Sequence, residues 1–423
     1  MPELGGALNM HAGWTGGQFS VVRAAVGLHL LALACVVASG GSQEASNSAP
    51  SGLLAALVSP GLVALLLAAA AVGVVVGVAT RPLAVASGCV LAWWADRRAT
   101  AAVFPWPPAQ AAGLPPLMPT LAALAALAAA RGAPYGSWPA RVRVDPRGDF
   151  SVAPASTVLA WAVVVMAYAN GLLAIAAAWP GGDTPLGLRA LGSPLGGLFL
   201  AGVAALAAPV TRAAIWHASF VAQIAAAALA ASGIDGSTSL SGLGASLGLA
   251  ILHLVAFEPQ WVPACACAPV APGSTARDRV LYDGDCGLCH RFLRLVMAEA
   301  QRSTLPFVFT PLQSPLCKRL VLDSGLYDEA KAGPLPDSVL VVTADGRLLM
   351  KSAAAFYVMQ RLGGMWRVIG ELGMLLPQNL RDFGYESVAS VRHMLFAKPK
   401  TGACPLLPKP YRSAFDLGDD FGV

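Results

Sequence analysis

Charge is what this sequence lacks most. Only 12% of its 423 residues are charged, against about 25% in an average soluble protein. Residues 1–276 hold 10 Arg, 8 acidic residues and no Lys, while residues 277–423 hold the other 33 charges, including all six Lys. The net charge of +5 is not gathered into a basic run interleaved with aromatics, so no nucleic-acid footprint is present. Eight cysteines over this length are too few for a disulfide scaffold. No basic stretch precedes the first apolar segment, which argues against a cleavable signal peptide there. No H-x-x-x-H spacing occurs in the apolar half, so no single helix there offers paired metal or haem ligands.

Long apolar runs are what residues 1–276 have in place of charge. They are expected as membrane spans at about 20–38, 53–79, 82–95, 112–130, 156–179, 194–208, 212–231 and 239–256, since a span needs about 20 apolar residues. Trp93, Trp94, Trp106, Trp138, Trp179 and Trp261 sit at or just outside the ends, where tryptophan prefers the interface. With eight spans, Arg81, Arg131, Arg141, Arg143, Arg147 and Arg212 share one side, and Arg97, Arg98 and Arg189 the other. The richer side is expected to be cytoplasmic, and the C-terminal domain lies with it. Arg23, His29, Asn170, His217, Gln223 and His253 fall inside spans. Hydrocarbon makes such groups costly, which makes them functional candidates. Helix-to-helix hydrogen bonding or snorkelling explains them equally well.

Past about residue 262 the pattern changes. Pro263, Pro269, Pro272, Gly273 and Ser274 mark a linker over 263–277. The expected organisation is an N-terminal segment (1–18), a multi-span domain (19–262), the linker, an α/β domain over 278–416 and a tail (417–423). Within the α/β domain, strands are expected at Arg279–Tyr282, Pro306–Phe309, Ser338–Thr343 and Leu348–Met350. Helices are expected at Gly287 to about Ala300, Ser314 to about Ser324 and Ser352–Leu362, with further helical segments to about Leu395. This β-α-β-α-β-β-α order, with a cysteine pair at the first strand-to-helix junction, is a thioredoxin-type layout. Pro336, before the third strand, holds the place of a cis-proline facing the pair.

Cys286-Gly-Leu-Cys289-His290 admits three chemistries. C-x-x-C-H is a haem-attachment signature, C-x-x-C is half of many zinc sites, and it is the form of a redox dithiol. Haem would need an export-side location and a second axial ligand. Zinc needs four ligands, and Cys265 and Cys267 could join Cys286 and Cys289. A dithiol needs a stabilised thiolate, which the N-terminus of the following helix supplies. Cys286 would then be the exposed nucleophile and Cys289 the resolving thiol. Asp283 and Asp285 would raise a nearby thiol pKa. Asp285 is expected to cap the helix, and one of the two aspartates could move a proton to or from Cys289. His290 would stabilise a thiolate if protonated, or sit on the surface.

YDGDCGLCHRF resembles the signature of the DCC family of thiol-disulfide oxidoreductases, with Asp283, Cys286 and Cys289 in the Asp-x-x-Cys-x-x-Cys positions. FTPLQS (309–314), LPDSVLVVTADGRLL (335–349), SAAAF (352–356), RLGGMWR (361–367) and CPLLPKPYRSAF (404–415) resemble family segments in family order. The likeness covers about 278–416. It implies a thioredoxin-like fold and a redox-active Cys286/Cys289 pair. ILHLVAFEPQWVP (251–263) resembles the membrane domain fused ahead of such modules in bacteria. The opening span, with Arg23 and Gly27, distantly resembles the horizontally transferred transmembrane family, from which no catalytic residue is carried over.

The expected protein is thus a polytopic helical membrane protein of the bacterial inner membrane, its C-terminal dithiol exchanging disulfides with a protein or small-molecule thiol. Asp283, Asp285 and Pro336 would assist Cys286 and Cys289. No bound cofactor is expected beyond the disulfide itself, with quinone or zinc as the unsupported alternatives. Three rivals stay open: a non-enzymatic subunit of a larger membrane complex, a zinc-stabilised junction, and a membrane enzyme acting on lipid or quinone through His29, His217 or His253. Cys35 and Cys89 are either an electron relay or small apolar fillers. Cys317 and Cys404 carry no assigned role.

Overall fold

The computed structural model describes residues 13–44, 59–98, 117–178, 190–232, 240–263, 277–300, 307–336, 338–395, 411 and 414–416. The chain divides into two compact units. One comprises Met1–Trp14, Phe19–Pro139 and Asp149–Glu258; the other comprises Thr15–Gln18, Ala140–Gly148 and Pro259–Val423.

The helices of the first unit, among the described residues, are α1 (Gly16–Glu44), α2 (Pro60–Val76), α3 (Thr80–Arg98), α4 (Met118–Ala129), α5 (Pro154–Ala178), α6 (Pro194–Ala205), α7 (Pro209–Ser232) and α8 (Leu240–Ala256). Each of the eight expected apolar runs falls on one of them. Among the described residues, two stretches, Gly16–Ala38 and Pro154–Leu173, are long and apolar enough to cross a membrane. Proline sets several of the starts: Pro60 and Pro194 follow Ser59 and Ser193, whose hydroxyls accept from the backbone N–H of Leu62 and Gly196. The 12-residue α4 and α6 rise only about 18 Å, short of the about 30 Å of hydrocarbon. The described residues thus supply two candidate crossings, and the eight expected ones are not established. The parts of the expected runs at 53–58, 112–116, 179 and 239 lie outside the described residues, as do Trp106 and Trp179.

Arg23, His29 and Gln223 find partners on other elements, while His217 and His253 bond to carbonyls of their own helices. Arg23 is buried and donates to the carbonyls of Val74, Val75 (2.6 Å) and Gly136 (3.2 Å). Its guanidinium thus neutralises the carbonyl end of α2, where Gly77 at φ 80° closes the helix. A Cβ on Gly77 would come within 2.7 Å of the Arg23 Nη1. His29 Nε2 lies 2.9 Å from Thr120 Oγ1, and the Gln223 amide donates to Ser246 O at 3.0 Å. His253 Nδ1 lies 2.7 Å from Leu249 O, which only accepts, so Nδ1 carries the proton. His217 is exposed, with Nδ1 2.7 Å from Ala213 O. Arg212 corrects an expectation. It is not a solvated loop charge: it and Glu258 are both fully buried, Nε to Oε1 at 2.8 Å. A paired, buried arginine does not count as positive loop charge, so the six-to-three arginine asymmetry weakens.

The second unit is built on a four-stranded sheet in the order β2-β1-β3-β4. The strands are β1 (Asp278–Tyr282), β2 (Phe307–Pro311), β3 (Leu340–Val342) and β4 (Leu348–Met350). β1 runs parallel to β2 and antiparallel to β3, and β3 pairs antiparallel with β4. α9 (Gly287–Glu299) makes the β1–β2 crossover. The short α10 (Pro315–Lys318), a π-helical turn at Arg319–Asp323 and α11 (Glu329–Ala332) lead to β3. α12 (Lys351–Leu362), α13 (Gly364–Leu375) and α14 (Gln378–Leu395) follow β4. Ala344-Asp345-Gly346 forms the expected hairpin turn, with Gly346 N donating to Thr343 O at 2.8 Å.

β1 is apolar on both faces because helices cover both, as a central strand requires. Val280 and Tyr282 face a core with Leu293, Val296, Phe307, Phe309 and Val358, while Leu281 faces Cys317, Val321 and Leu340. Burial in that second cluster raises the Cys317 thiol to about 11, which marks it as structural filler. The β2 edge is covered by the chain end: Phe309 N donates to Ala414 O at 2.8 Å, and Asp416 N to Phe309 O at 2.9 Å. Arg279 then pairs with Asp416 at 2.8 Å. At the start of β1, the fully buried Asp278 accepts from Arg361 Nε (2.9 Å), Tyr357 OH (3.0 Å) and Ala344 N (2.9 Å).

Candidate dithiol site

The site forms where β1 ends. Tyr282 and Pro311 pair at the C-terminal ends of the two parallel strands, and in open α/β sheets that end is where chemistry collects. The chain leaves β1 through Asp283, Gly284 and Asp285 and enters α9. Cys286 is the helix N-cap, with extended backbone (φ −98°, ψ 116°), and its sulfur accepts from Cys289 N at 3.4 Å. The cap is thus the cysteine itself, not Asp285. Asp285 stands one residue too early to reach the first-turn amides; it is exposed, and its own N–H donates to Asp283 Oδ1 at 2.9 Å.

Asp283 is buried at 4% exposure. Besides the Asp285 amide, its Oδ1 accepts from Gln313 Nε2 at 2.8 Å, while Gln313 Oε1 accepts from Gly284 N at 3.1 Å. Gly284 O accepts from His290 Nε2 at 2.9 Å. A carbonyl cannot donate, so Nε2 carries the proton. His290 is 7% exposed, and burial holds it below its ordinary pKa despite the nearby Gly284 carbonyl and both aspartates. It is neither a surface residue nor a cation facing a thiolate; it fastens the turn, with its Nε2 directed at its own loop.

Both cysteines are free and buried, Cys286 at 1% and Cys289 at 6%. Burial first, then the neighbouring Cys286, pushes the Cys289 thiol far above its ordinary range. The Asp283 charge adds to that rise, while the Asp283 backbone N–H offsets part of it. The expectation of an exposed Cys286 is therefore corrected. Its sulfur is drawn against the α9 amides and packs in the apolar core around Tyr282, Leu293 and Tyr411.

Pro336 lies before β3, but no peptide bond among the described residues is cis. The bend is made instead by Ser338 N donating to Pro336 O at 2.8 Å. Tyr385 of α14 comes in at this point: Val339 N donates to its hydroxyl at 3.1 Å, and it stands close enough to Cys289 for a thiolate there to raise its phenol, with burial the larger cause. Gln313 and Tyr385 had no role assigned from the sequence. Gln313 was findable, as the first polar side chain past the end of the strand parallel to β1. Tyr385 was not, because helix packing alone brings it from about a hundred residues away.

Cys265, Cys267 and Cys404 lie outside the described residues. Among the described residues, no group of three or more His, Cys, Asp or Glu is arranged to hold a metal.

Residues 280–398 match the family model for DCC1-like thiol-disulfide oxidoreductases. A chloroplastic DCC family protein of Arabidopsis thaliana is 29% identical over 122 residues, which is 29% of this chain and 66% of that relative. The chain thus spans just under two thirds of the curated relative's length. No solved structure matches.

Proposed function

We propose that the protein exchanges disulfides through Cys286 and Cys289 in a thioredoxin-like domain, tethered to a membrane by the apolar helices; the match of residues 280–398 to the DCC1-like thiol-disulfide oxidoreductase family model supports this reading. The observation that carries this reading is the asymmetry of the pair. Cys286 sits at the helix N-terminus, where backbone amides favour a thiolate. Cys289, one turn in, is buried beside it, and that burial raises its thiol pKa.

In the reducing direction, the Cys286 thiolate attacks one sulfur of a substrate disulfide. A Cys286–substrate disulfide forms, and the other substrate thiolate leaves and takes a proton from water. Cys289 then gives up its proton to Asp283, attacks Cys286 Sγ and expels the second substrate half as a thiolate, which takes a proton from water. The dithiol loses two electrons and two protons; the substrate gains both. The buried Asp283 carboxylate is the acceptor for the Cys289 proton, and Asp285 flanks the entrance. Because Cys286 is buried, substrate enters past the half-buried Gly287 and Leu288, and the contact requires local opening there. Pro336 serves as the bend that brings Ser338 and Val339 toward the pair. A domain on the cytoplasmic side would work as a reductase.

The test is the reduction potential of the pair in protein whose other six cysteines are replaced. A reversible two-electron couple between about −120 and −300 mV supports exchange chemistry. Failure to form the disulfide, or stoichiometric zinc in the purified protein, overturns it.

A further inference from the structure

The Asp283 carboxylate is not held by the β1–α9 turn alone. Two hydrogen bonds reach the turn from the neighbouring strand end, both from one side chain: Gln313 Nε2 to Asp283 Oδ1 at 2.8 Å, and Gly284 N to Gln313 Oε1 at 3.1 Å. The amide has one donor end and one acceptor end, and each meets its complement. The parallel register makes this possible. Tyr282 and Pro311 are paired, Leu312 N donates to Tyr282 O at 2.8 Å, and Gln313 therefore projects beside residues 283 and 284. From the other side, the turn is fastened by His290 to Gly284 O. Asp283 N–H and its carboxylate both act on the Cys289 sulfur, in opposite senses.

We infer that Gln313 is a positioning residue: its side-chain amide clamps Asp283 and Gly284 and so holds the buried carboxylate in the turn beside the dithiol. A glutamate at this place could not do the same. It would keep the acceptor for Gly284 N but set a second carboxylate against Asp283 Oδ1. A leucine or methionine would fill the space and leave both polar partners unmade. The inference rests on the dithiol reading for its functional meaning but not for its test. The charged or titratable groups around Cys289 are Cys286, Asp283, Asp285 and His290 from the turn and α9, and Tyr385 from α14.

The experiment is a titration of the reduced full-length protein carrying ¹³C-labelled cysteine, followed by NMR, so no substrate is required. Gln313→Met loosens the carboxylate's hold, and the Cys289 midpoint falls toward the ordinary thiol range. Asp283→Asn produces a similar fall, and the double variant falls no further, since the two changes remove one interaction. Gln313→Glu, which keeps the size and one contact, does not lower the midpoint. Additive shifts, an equal fall in Gln313→Glu, or an unmoved Cys289 in Gln313→Met would each overturn the clamp. If Gln313→Met does not fold, the sign of the Gln313→Glu shift decides alone. Wild-type disulfide exchange, measured in parallel, separates the two readings: an inactive wild type with the expected titrations removes the exchange function and leaves the clamp standing.

Discussion

The two units bury polar groups for different ends. In the first, each buried charge is spent on another helix. Arg23 closes α2, and Arg212 and Glu258 neutralise one another with no exposed surface. In the second, the polar groups at the end of β1 converge on one turn beside two sulfurs: the buried Asp283 and His290, and the exposed Gln313. Low dielectric makes an unpaired group expensive in both places. Where the partner is another helix the result is a fastening; where the groups surround a buried thiol, burial and nearby charge raise its proton affinity.

The largest effect expected is at the sulfur. Cys286→Ser should reduce disulfide exchange to the background rate, while Cys289→Ser should retain attack and accumulate a mixed disulfide, visible by mass spectrometry as a substrate adduct on Cys286. Equal residual activity in both variants would erase the asymmetry between the two thiols. Next is the ion pair. Arg212→Met leaves Glu258 buried without its cation and should cost about 3–5 kcal/mol of stability, whereas Arg212→Met with Glu258→Leu should recover most of that. Unfolding in detergent checks it; a double variant as unstable as the single would show that the pair does more than fasten.

A smaller effect follows from pH. The Cys289 pKa is raised in the folded state, so the native domain binds this proton more tightly than the unfolded chain. Its contribution is fully present below the ordinary thiol value of about 8.5 and is lost as pH rises toward the folded value. The thermal midpoint of the reduced protein should therefore decline above about pH 8.5, and Cys289→Ala should flatten that decline. The smallest expected change is Tyr385→Phe, which removes the acceptor for Val339 N–H at about 1 kcal/mol. Hydrogen exchange at the Val339 amide should quicken, and unchanged protection would mean that another acceptor takes over.

Much of the C-terminal domain was legible in advance. Alternating and continuous apolar stretches marked all four strands, and the Asp-Gly turn placed the hairpin. The cysteine pair was correctly set at a strand-to-helix junction. The side chains that tune it were harder. Asp285 looked like a cap because aspartate is a favoured one, yet the helix begins one residue later and the sulfur takes that place. His290 looked like a surface residue or a cation, but α9 turns it inward. The proline bend did not need a cis bond, because Ser338 N supplies the closure.

By itself the sequence determined the split in charge, the eight apolar helices, the succession of strands along the chain and the placement of a cysteine pair at a strand-to-helix junction. All of these follow from local pattern, since burial period and turn chemistry act over a few residues. Tertiary structure decided which helices have the length to cross a membrane, that Arg212 meets Glu258, that Cys286 is buried, and that Gln313 and Tyr385 stand at the dithiol. Those depend on which strand ends and helix faces come together across 30 to 100 residues. A buried polar atom takes whichever partner the packing presents, and residue spacing carries no record of that choice.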